Sequence, residues 1–291
     1  AGNTMTRRYA QILISILLLL VPFAPIVTVP PSHAYVLHGY HLLELMRREM
    51  GTARSLEVIQ KLTIQESVLS TEAVAVQETL SYRFPVAFRS EFVSAAGEHI
   101  QIFSNGRALT VVDRRIVSDT ESDLDHYKDI FLFNTRELLK NRLSQLGVAA
   151  EVSSVGRFQG RIGYVLGAQY PDETVPQLWL DKETFRPMRW LLKPAAAGNP
   201  SEALEVRYFD WRKLSSIWYP ERIEFYQGDR LLRRMQVQRT RVNPELSNRL
   251  FDLTYLKSIY PFAVAPPAAQ GESGGKNDIQ RTIDRFRKLF E

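Results

Sequence analysis

The sequence predicts a mainly β (α+β) domain, antiparallel, with a few helices. Two observations carry this. Short stretches rich in Val, Ile, Leu, Thr and aromatic residues follow one another with tight-turn residues between them, which makes consecutive strands antiparallel neighbours. Only two long stretches show helical spacing instead, so alternating βαβ units of a parallel sheet are not indicated.

The elements follow in order. Residues 39–50 place Leu42, Leu43, Leu45, Met46 and Met50 at helical intervals before a glycine stop at Gly51. Strands are expected over 55–69 and 73–84, and in 88–93, where Phe88, Ser90 and Phe92 take one face and Arg89, Glu91 and Val93 the other. Asn105-Gly106 between two apolar runs is a strong hairpin signal, joining His99–Phe103 to Ala108–Val112. Acids at Asp119–Asp125 suit a helix N-terminus better than a calcium loop, which needs a glycine turn and a distal bidentate Glu. That helix is expected from about Leu124 to Leu146, ending at Gly147. Seven further strands are expected: 149–158, 161–170, 175–181, 185–193, 202–211, 217–227 and 230–242. Gln159-Gly160, Asp181-Lys182-Glu183, Gly198-Asn199-Pro200 and Gln227-Gly228-Asp229 provide turns between several of them.

The two ends read differently. Residues 1–34 have the form of a secretory signal peptide: basic Arg7 and Arg8 after Met5, an apolar run Ile12–Val21, then Pro22, Pro25 and Ser32-His33-Ala34. A permanent span would need about 20 apolar residues in a helix, and the two prolines argue against one. Cleavage near Ala34 would leave an exported chain. Pro266–Lys276 has a linker composition. Asn277–Glu291 reads as a short amphipathic helix, with Ile279, Ile283, Phe286 and Phe290 on one stripe. The expected organisation is a leader at 1–34, a domain at 35–265, a linker at 266–276 and a helix at 277–291.

The formal charge of the 291-residue chain is +5, and Arg7 and Arg8 leave with the leader, so the remaining basic excess is mild. Nucleic-acid binding needs clustered positive charge. The best cluster, Arg230-Leu-Leu-Arg233-Arg234, alternates with apolar residues and reads as a solvated strand face. There is no cysteine, which excludes a thiol nucleophile, a thiolate metal site and a lipid-modified N-terminal cysteine. His38, His41 and Glu44 share one helix face but lack the more defined spacing of a metal site. No nucleophile elbow, zinc-helix motif or phosphate loop is present, so no cofactor, metal or catalytic residue is assigned. The distinctive feature is aromatic. Trp179, Trp190, Trp211 and Trp218 fall in the second half, and Leu204–Trp211 is apolar on both faces. Such a strand needs a cover on each side or a ligand.

Several segments resemble the LolA/LolB-like lipoprotein-sorting proteins. They are Leu178-Trp-Leu-Asp-Lys-Glu-Thr-Phe-Arg-Pro-Met-Arg189, Val206-Arg-Tyr-Phe-Asp-Trp-Arg-Lys213, Ile217-Trp-Tyr-Pro-Glu-Arg-Ile-Glu224, and Val242-Asn-Pro244 followed by Leu250-Phe-Asp-Leu253. In the first half they are Tyr82-Arg-Phe-Pro-Val-Ala-Phe-Arg-Ser-Glu91 and Ser104-Asn-Gly-Arg-Ala108. The resemblance covers about residues 37–255. It implies an unclosed antiparallel half-barrel of about eleven strands, with helices on its concave face. It also implies a non-enzymatic periplasmic carrier that shields acyl chains of lipoproteins or other lipids. The carrier's partners would be an inner-membrane exporter and an outer-membrane acceptor. On this reading Phe84, Phe88, Trp179, Trp190, Trp211 and Trp218 are the candidate apolar lining, and a monomer is expected. Such carriers have Arg immediately before the strand proline, where it helps to hold the helical lid. Here Phe84 precedes Pro85 and Arg83 stands one residue earlier, which in a strand reverses its face. Arg83 and Arg89 are the candidate lid contacts. The alternative is a periplasmic sensor of lipid or misfolded envelope protein that signals to a membrane partner.

Overall fold

A computed structural model describes residues 36–263, apart from 66–72, 95–96 and 196–201. The leader, the linker and the C-terminal helix expected from the sequence lie outside these residues. Among the described residues no helix is long and apolar enough to cross a membrane.

Thirteen strands form one antiparallel sheet. Six come first: β1 (Ser55–Gln65), β2 (Ala73–Arg83), β3 (Ala87–Ser94), β4 (Gly97–Ser104), β5 (Arg107–Val112) and β6 (Arg115–Ser118). Seven follow: β7 (Ser153–Phe158), β8 (Arg161–Leu166), β9 (Gln177–Asp181), β10 (Pro187–Lys193), β11 (Leu204–Leu214), β12 (Ile217–Gln227) and β13 (Arg230–Val242). Each group is a meander. The sheet order runs β6 to β1, then β13 back to β7, so β1 and β13 meet in the middle, with Leu56 opposite Val242. The sheet is mainly β in class and unclosed, a half-barrel with thirteen strands where about eleven were expected. The strand not expected is β6; its hairpin with β5 turns on Asp113 and Arg114, both at positive φ, where the sequence carries no glycine signal. Asn105 (φ 50°) and Gly106 (φ 78°) make the expected turn.

This order dictates where the helices go. Strands β6 and β7 lie at opposite edges, so the chain joining them must cross a face of the sheet. It crosses as a 3-10 segment (Asp123–Lys128), α2 (Asp129–Leu132) and α3 (Arg136–Gln145), alongside α1 (Gly39–Met50). The sequence suggests one helix from Leu124 to Leu146; the structure breaks it into these three pieces. Phe133 leaves helical geometry (ψ 79°), and Thr135 starts a new helix by accepting a hydrogen bond from the Leu138 amide at 3.3 Å. The break lets Ile130, Phe131 and Leu132 bury in one direction and Leu139 and Leu143 in another. All belong to the main core with Leu42, Leu43 and Met46 of α1. Gly39 presses so close to the Ala150 carbonyl that a Cβ would lie 1.9 Å from its oxygen.

The outer face is covered in two ways. Over β4–β6, Ile100, Ile102, Leu109, Val111 and Ile116 are sealed by Leu253 and Leu256 of α4 (Leu253–Ile259). This helix and the 3-10 turn Asn248–Phe251 before it belong to a C-terminal strap with no counterpart among the helices expected from sequence. The strap ends by pairing with β6: the Ile116 amide donates to the Pro261 carbonyl (2.9 Å) and the Ala263 amide to the Ile116 carbonyl (2.8 Å). Over β9–β13 the outer face covers itself with a cross-strand ladder. Glu205 bonds Arg189 and Arg207, and Glu224 bonds Arg222 (3.0 Å) and Arg234 (2.7 Å).

Candidate functional site

The inner face, under the crossing helices, is the candidate site, and it has two zones. The first is aromatic. Tyr82, Phe88, Trp190, Tyr208, Tyr219 and Phe225 are all buried there. Phe131 of α2 inserts among them, 4.8 Å from Tyr219, 6.0 Å from Tyr208 and 6.4 Å from Tyr82 between ring centres. Tyr127 sits edge-on to Phe88 and Phe225. Where α1 meets β1 and β12, a cleft lined by Met50, Leu56, Phe84, Ile217 and Trp218 holds about 290 Å³ of space, part of it open to solvent.

The second zone is polar and lies on β1–β4 and β13. Glu78 shares a face with Leu80 and Tyr82, yet it is buried. Its carboxylate accepts from Gln60 Nε2 (2.6 Å) and Ser90 Oγ (2.5 Å). His99 is buried and stacks on Phe92 at 4.6 Å. Burial, helped by the nearby Arg233 charge, pushes its pKa down to about 3, so it is neutral. Arg233 is 5 % exposed and lies 5.3 Å from the ring centre of Phe225, its cross-strand neighbour. Burial pushes its pKa down, while Glu78 and then Asp125 oppose that shift. The sequence suggests that Arg233 lies on a solvated strand face; the structure buries it, because Arg233, Met235 and Val237 share the inward register.

The 3-10 segment closes this polar zone. Asp125, 6 % exposed, accepts from the Ser122 amide at 2.7 Å and from the Gln101 side chain. Burial pushes its pKa up, against Lys128 and the Gln101 bond; Glu78 is likewise raised by burial, against Ser90 and Gln60. Beside it, Lys128 Nζ pairs with Glu121 (2.5 Å) and Asp129 (3.3 Å), and Arg142 pairs with Asp129 (2.6 Å) and Glu121 (2.5 Å). Burial disfavours the Asp129 charge, but Lys128, a His126 hydrogen bond and Arg142 outweigh it and hold its pKa below the usual range. Glu121, His126 and Asp129 have the makings of a metal-ligand trio. Lys128 and Arg142 already supply the cations, so the donor set fits an ion-pair network.

The sequence-predicted residues divide between the two faces. Phe88 and Trp190 lie in the inner core, and Phe84, Trp211 and Trp218 pack half-buried against it. Trp211 Nε1 donates to the Pro187 carbonyl at 3.0 Å, and Arg186 stacks 3.8 Å above Trp218. Trp179 goes to the outer face with Val165, Ala168 and Phe158, while its neighbours Leu178 and Leu180 point inward. Arg83 and Arg89 also point outward. Arg83 donates to the Leu246 carbonyl at 2.8 Å and lies over Phe251, and Arg89 donates to the Leu250 carbonyl at 3.3 Å. Both hold the C-terminal strap rather than the inner helices. The inner cover is held instead by Arg47 of α1, which donates to the Ile130 carbonyl at 3.1 Å, and by the buried charges above. His38 caps α1, accepting from the Tyr40 amide, and His41 and Glu44 stand 3.9 Å apart in solvent. Sequence reasoning missed Glu78, Asp125 and Arg233. For the two strand residues the available signal was a charge in phase with apolar neighbours, as in Val74-x-Val76-x-Glu78-x-Leu80-x-Tyr82.

No family model and no curated protein matches the chain. Solved structures do. A candidate outer membrane lipoprotein-sorting protein domain from Vibrio parahaemolyticus superposes with a TM-score of 0.52 at 11 % identity, covering 75 % of this chain and 98 % of that one. A LolA superfamily protein from Nitrosomonas europaea gives 0.51 at 11 % identity, covering 75 % and 99 %. The chain has a LolA-like fold. At that identity the likeness is one of architecture alone, and the residues that fill the half-barrel here belong to this chain.

Proposed function

We propose that the protein is a periplasmic carrier that binds acyl chains of lipoproteins or lipids against the inner face of the half-barrel and moves them toward the outer membrane. The observation that carries this reading is the way the inner face is covered. A continuous aromatic surface lies beneath a segment whose short helical pieces are held by buried charges. An acyl chain costs about 0.8 kcal/mol per CH₂ to expose to water, so a chain of about fifteen methylenes needs a surface worth on the order of 12 kcal/mol. The aromatic zone is of the right kind once Phe131 and Tyr127 withdraw. The enclosed part of the cleft at Phe84 and Trp218 is only about 20 Å³, far below the 300–1,000 Å³ of typical ligand pockets, so binding on this reading requires the cover to move. The carrier reading involves no bond-making chemistry.

The test is extraction of the purified protein, residues 35–291, for lipid by mass spectrometry, together with titration with a fluorescent fatty-acid probe. Co-purifying acyl lipid or saturable probe binding is expected. A protein that neither carries lipid nor takes up the probe is not a carrier.

A further inference from the structure

The carrier reading leaves one cavity unused. The register of β10 with β11 ends at Arg189 opposite Arg207. Beyond that point β11 runs on with β12 as far as Leu214 opposite Ile217, and Asp210 turns to a left-handed φ of 56°. The two strands part there. Pro187 and Met188 of β10 and Asp210 and Trp211 of β11 line a cavity of about 190 Å³, well above what a single water needs. Four charged side chains line the same cavity, and three of them are already engaged. Arg161 bonds Asp181, which also accepts from the Thr184 amide and hydroxyl, both at 2.9 Å. Asp210 accepts from Arg222 at 3.1 Å. Arg186 is different. Its guanidinium lies 3.8 Å above Trp218, and its buried Nε makes no hydrogen bond among the described residues. The carboxylate paired with it, Glu49 of α1, stands off at 3.7 Å, beyond hydrogen-bond distance. A guanidinium stacked on an indole still presents its edge N–H groups to a planar anion, and a buried donor without an acceptor is costly.

Resting on the carrier reading, we propose that this cavity seats the anionic headgroup of the acyl ligand on Arg186, with the chain entering the aromatic zone past Trp211 and Trp218. The shared chemistry is a carboxylate or phosphate, which the forked donors of a guanidinium bind in pairs. Two contacts join the seat to the path of the chain. Trp218, beneath Arg186, also lines the apolar cleft with Phe84 and Phe131. Trp211, in the wall of the seat, lies 6.1 Å from Phe131 and 6.3 Å from Tyr208 between ring centres. The headgroup therefore rests where the strands part, while the chain takes the place of Phe131. Glu49 is the competitor for the seat. Its side chain is 38 % exposed, so it returns to water at little cost, and an anion on Arg186 gains hydrogen bonds that Glu49 does not make. An uncharged ligand gains none of them, so the seat selects acids over esters.

The test titrates the intact protein with hexadecanoic acid, labelled with a fluorophore at the far end of its chain, and with the methyl ester of the same probe. Inorganic phosphate serves as a chain-free anion. Wild type is expected to bind the acid more tightly than the ester. Arg186→Gln keeps a planar amide near Trp218 and removes the charge. It is expected to weaken the acid about tenfold, the worth of one hydrogen bond to a charged group, and to leave the ester within about twofold. Glu49→Gln acts in the opposite sense. It is expected to tighten the acid about threefold, the scale of a surface ion pair, and not the ester. Because that variant is expected to gain affinity, misfolding cannot imitate the result. Equal changes for acid and ester in both variants would make Arg186 a packing partner of Trp218 and overturn the seat, while leaving the carrier reading intact. Displacement of the acid by millimolar inorganic phosphate would show a site for a free anion and overturn the lipid assignment. Failure of both probes on wild type and on both variants would remove the carrier reading and the seat with it.

Discussion

Two segments cover this sheet, and they are built differently. The strap on the outer face, residues 243–263, holds by apolar contact and by hydrogen bonds to its backbone. Leu253 and Leu256 are buried on Ile100, Ile102, Leu109, Val111 and Ile116, and Arg83 and Arg89 reach its carbonyls. The cover on the inner face has apolar anchors of its own, Leu124, Tyr127, Ile130, Phe131, Leu132, Leu139 and Leu143, and adds buried charges at Asp125, Lys128 and Asp129. Apolar burial gains free energy without needing exact geometry. Buried ion pairs roughly break even against their desolvation, and serve more to specify one arrangement than to strengthen it. The strap is built to stay. The cover buries more apolar side chains than the strap, Ile130, Phe131, Leu132, Leu139 and Leu143 among them, and its ion pairs fix the one arrangement in which it closes.

The largest effect expected from breaking this contrast is on the strap. Leu256→Ala with Leu253→Ala removes two side chains that are 3 % and 5 % exposed. At about 2 kcal/mol each, the low end for buried leucines near a surface, the pair should cost about 4 kcal/mol in urea denaturation. Probe binding by the surviving folded protein should be unchanged. A loss of probe binding at normal stability would mean that the strap takes part in the site.

Next is the cover. Asp129→Asn leaves buried Lys128 paired with Glu121 and weakens the Arg142 contact. Removing one member of a buried pair costs about 3 kcal/mol or more. If the cover opens as a unit, that cost should appear locally. Hydrogen exchange should accelerate at 123–145 while amides of β1, β2 and β13 stay protected, and the probe should bind faster. Uniform acceleration across the sheet would show that the cover is as integral as the strap.

How legible each segment was in the sequence follows from the same physics. The meander could be read from turn residues such as Asn105-Gly106 and Gln159-Gly160, and α1 from its apolar spacing, because those signals are local. The break at Phe133–Thr135 could not, because apolar residues continue on both sides of it and the direction each piece faces is set by the sheet. The strap was missed as helix because Leu253–Ile259 is seven residues long, too short for periodicity to register. Trp179 was assigned to the lining from residue type alone. Strand β9 is buried at every position, so alternation gives no phase and the face is decided only by the packing of β8 and β10. Arg83 and Arg89, the candidate lid contacts, fall on the outward phase of β2 and β3 and reach the strap instead. The polar zone shows in the sequence only as a charge in step with apolar neighbours.

The smallest expected effect concerns pH and tests whether the polar zone is under strain. Burial raises the pKa of Glu78 above its ordinary value of 4.5. A carboxyl whose folded pKa exceeds its unfolded one binds protons more readily when folded, so the contribution of Glu78 to stability grows as pH falls from neutral toward about 4.5. Asp125 is raised in the same sense, from 3.8. Two groups act in the opposite direction: His99, held neutral with a pKa of about 3 against 6.5 unfolded, costs stability below about pH 6.5 in wild type and variant alike and so cancels in the comparison, and Asp129, depressed below 3.8, loses its contribution only at lower pH. Glu78→Gln keeps the hydrogen-bonding shape and cannot titrate. Thermal unfolding of the two proteins from pH 7 to pH 4.5 should show wild type gaining on the variant as pH falls. A difference that stays flat, or moves the other way, would mean that Arg233, Gln60 and Ser90 together satisfy Glu78 as a settled anion. The polar zone would then be a fixed part of the sheet, as stable in its way as the strap.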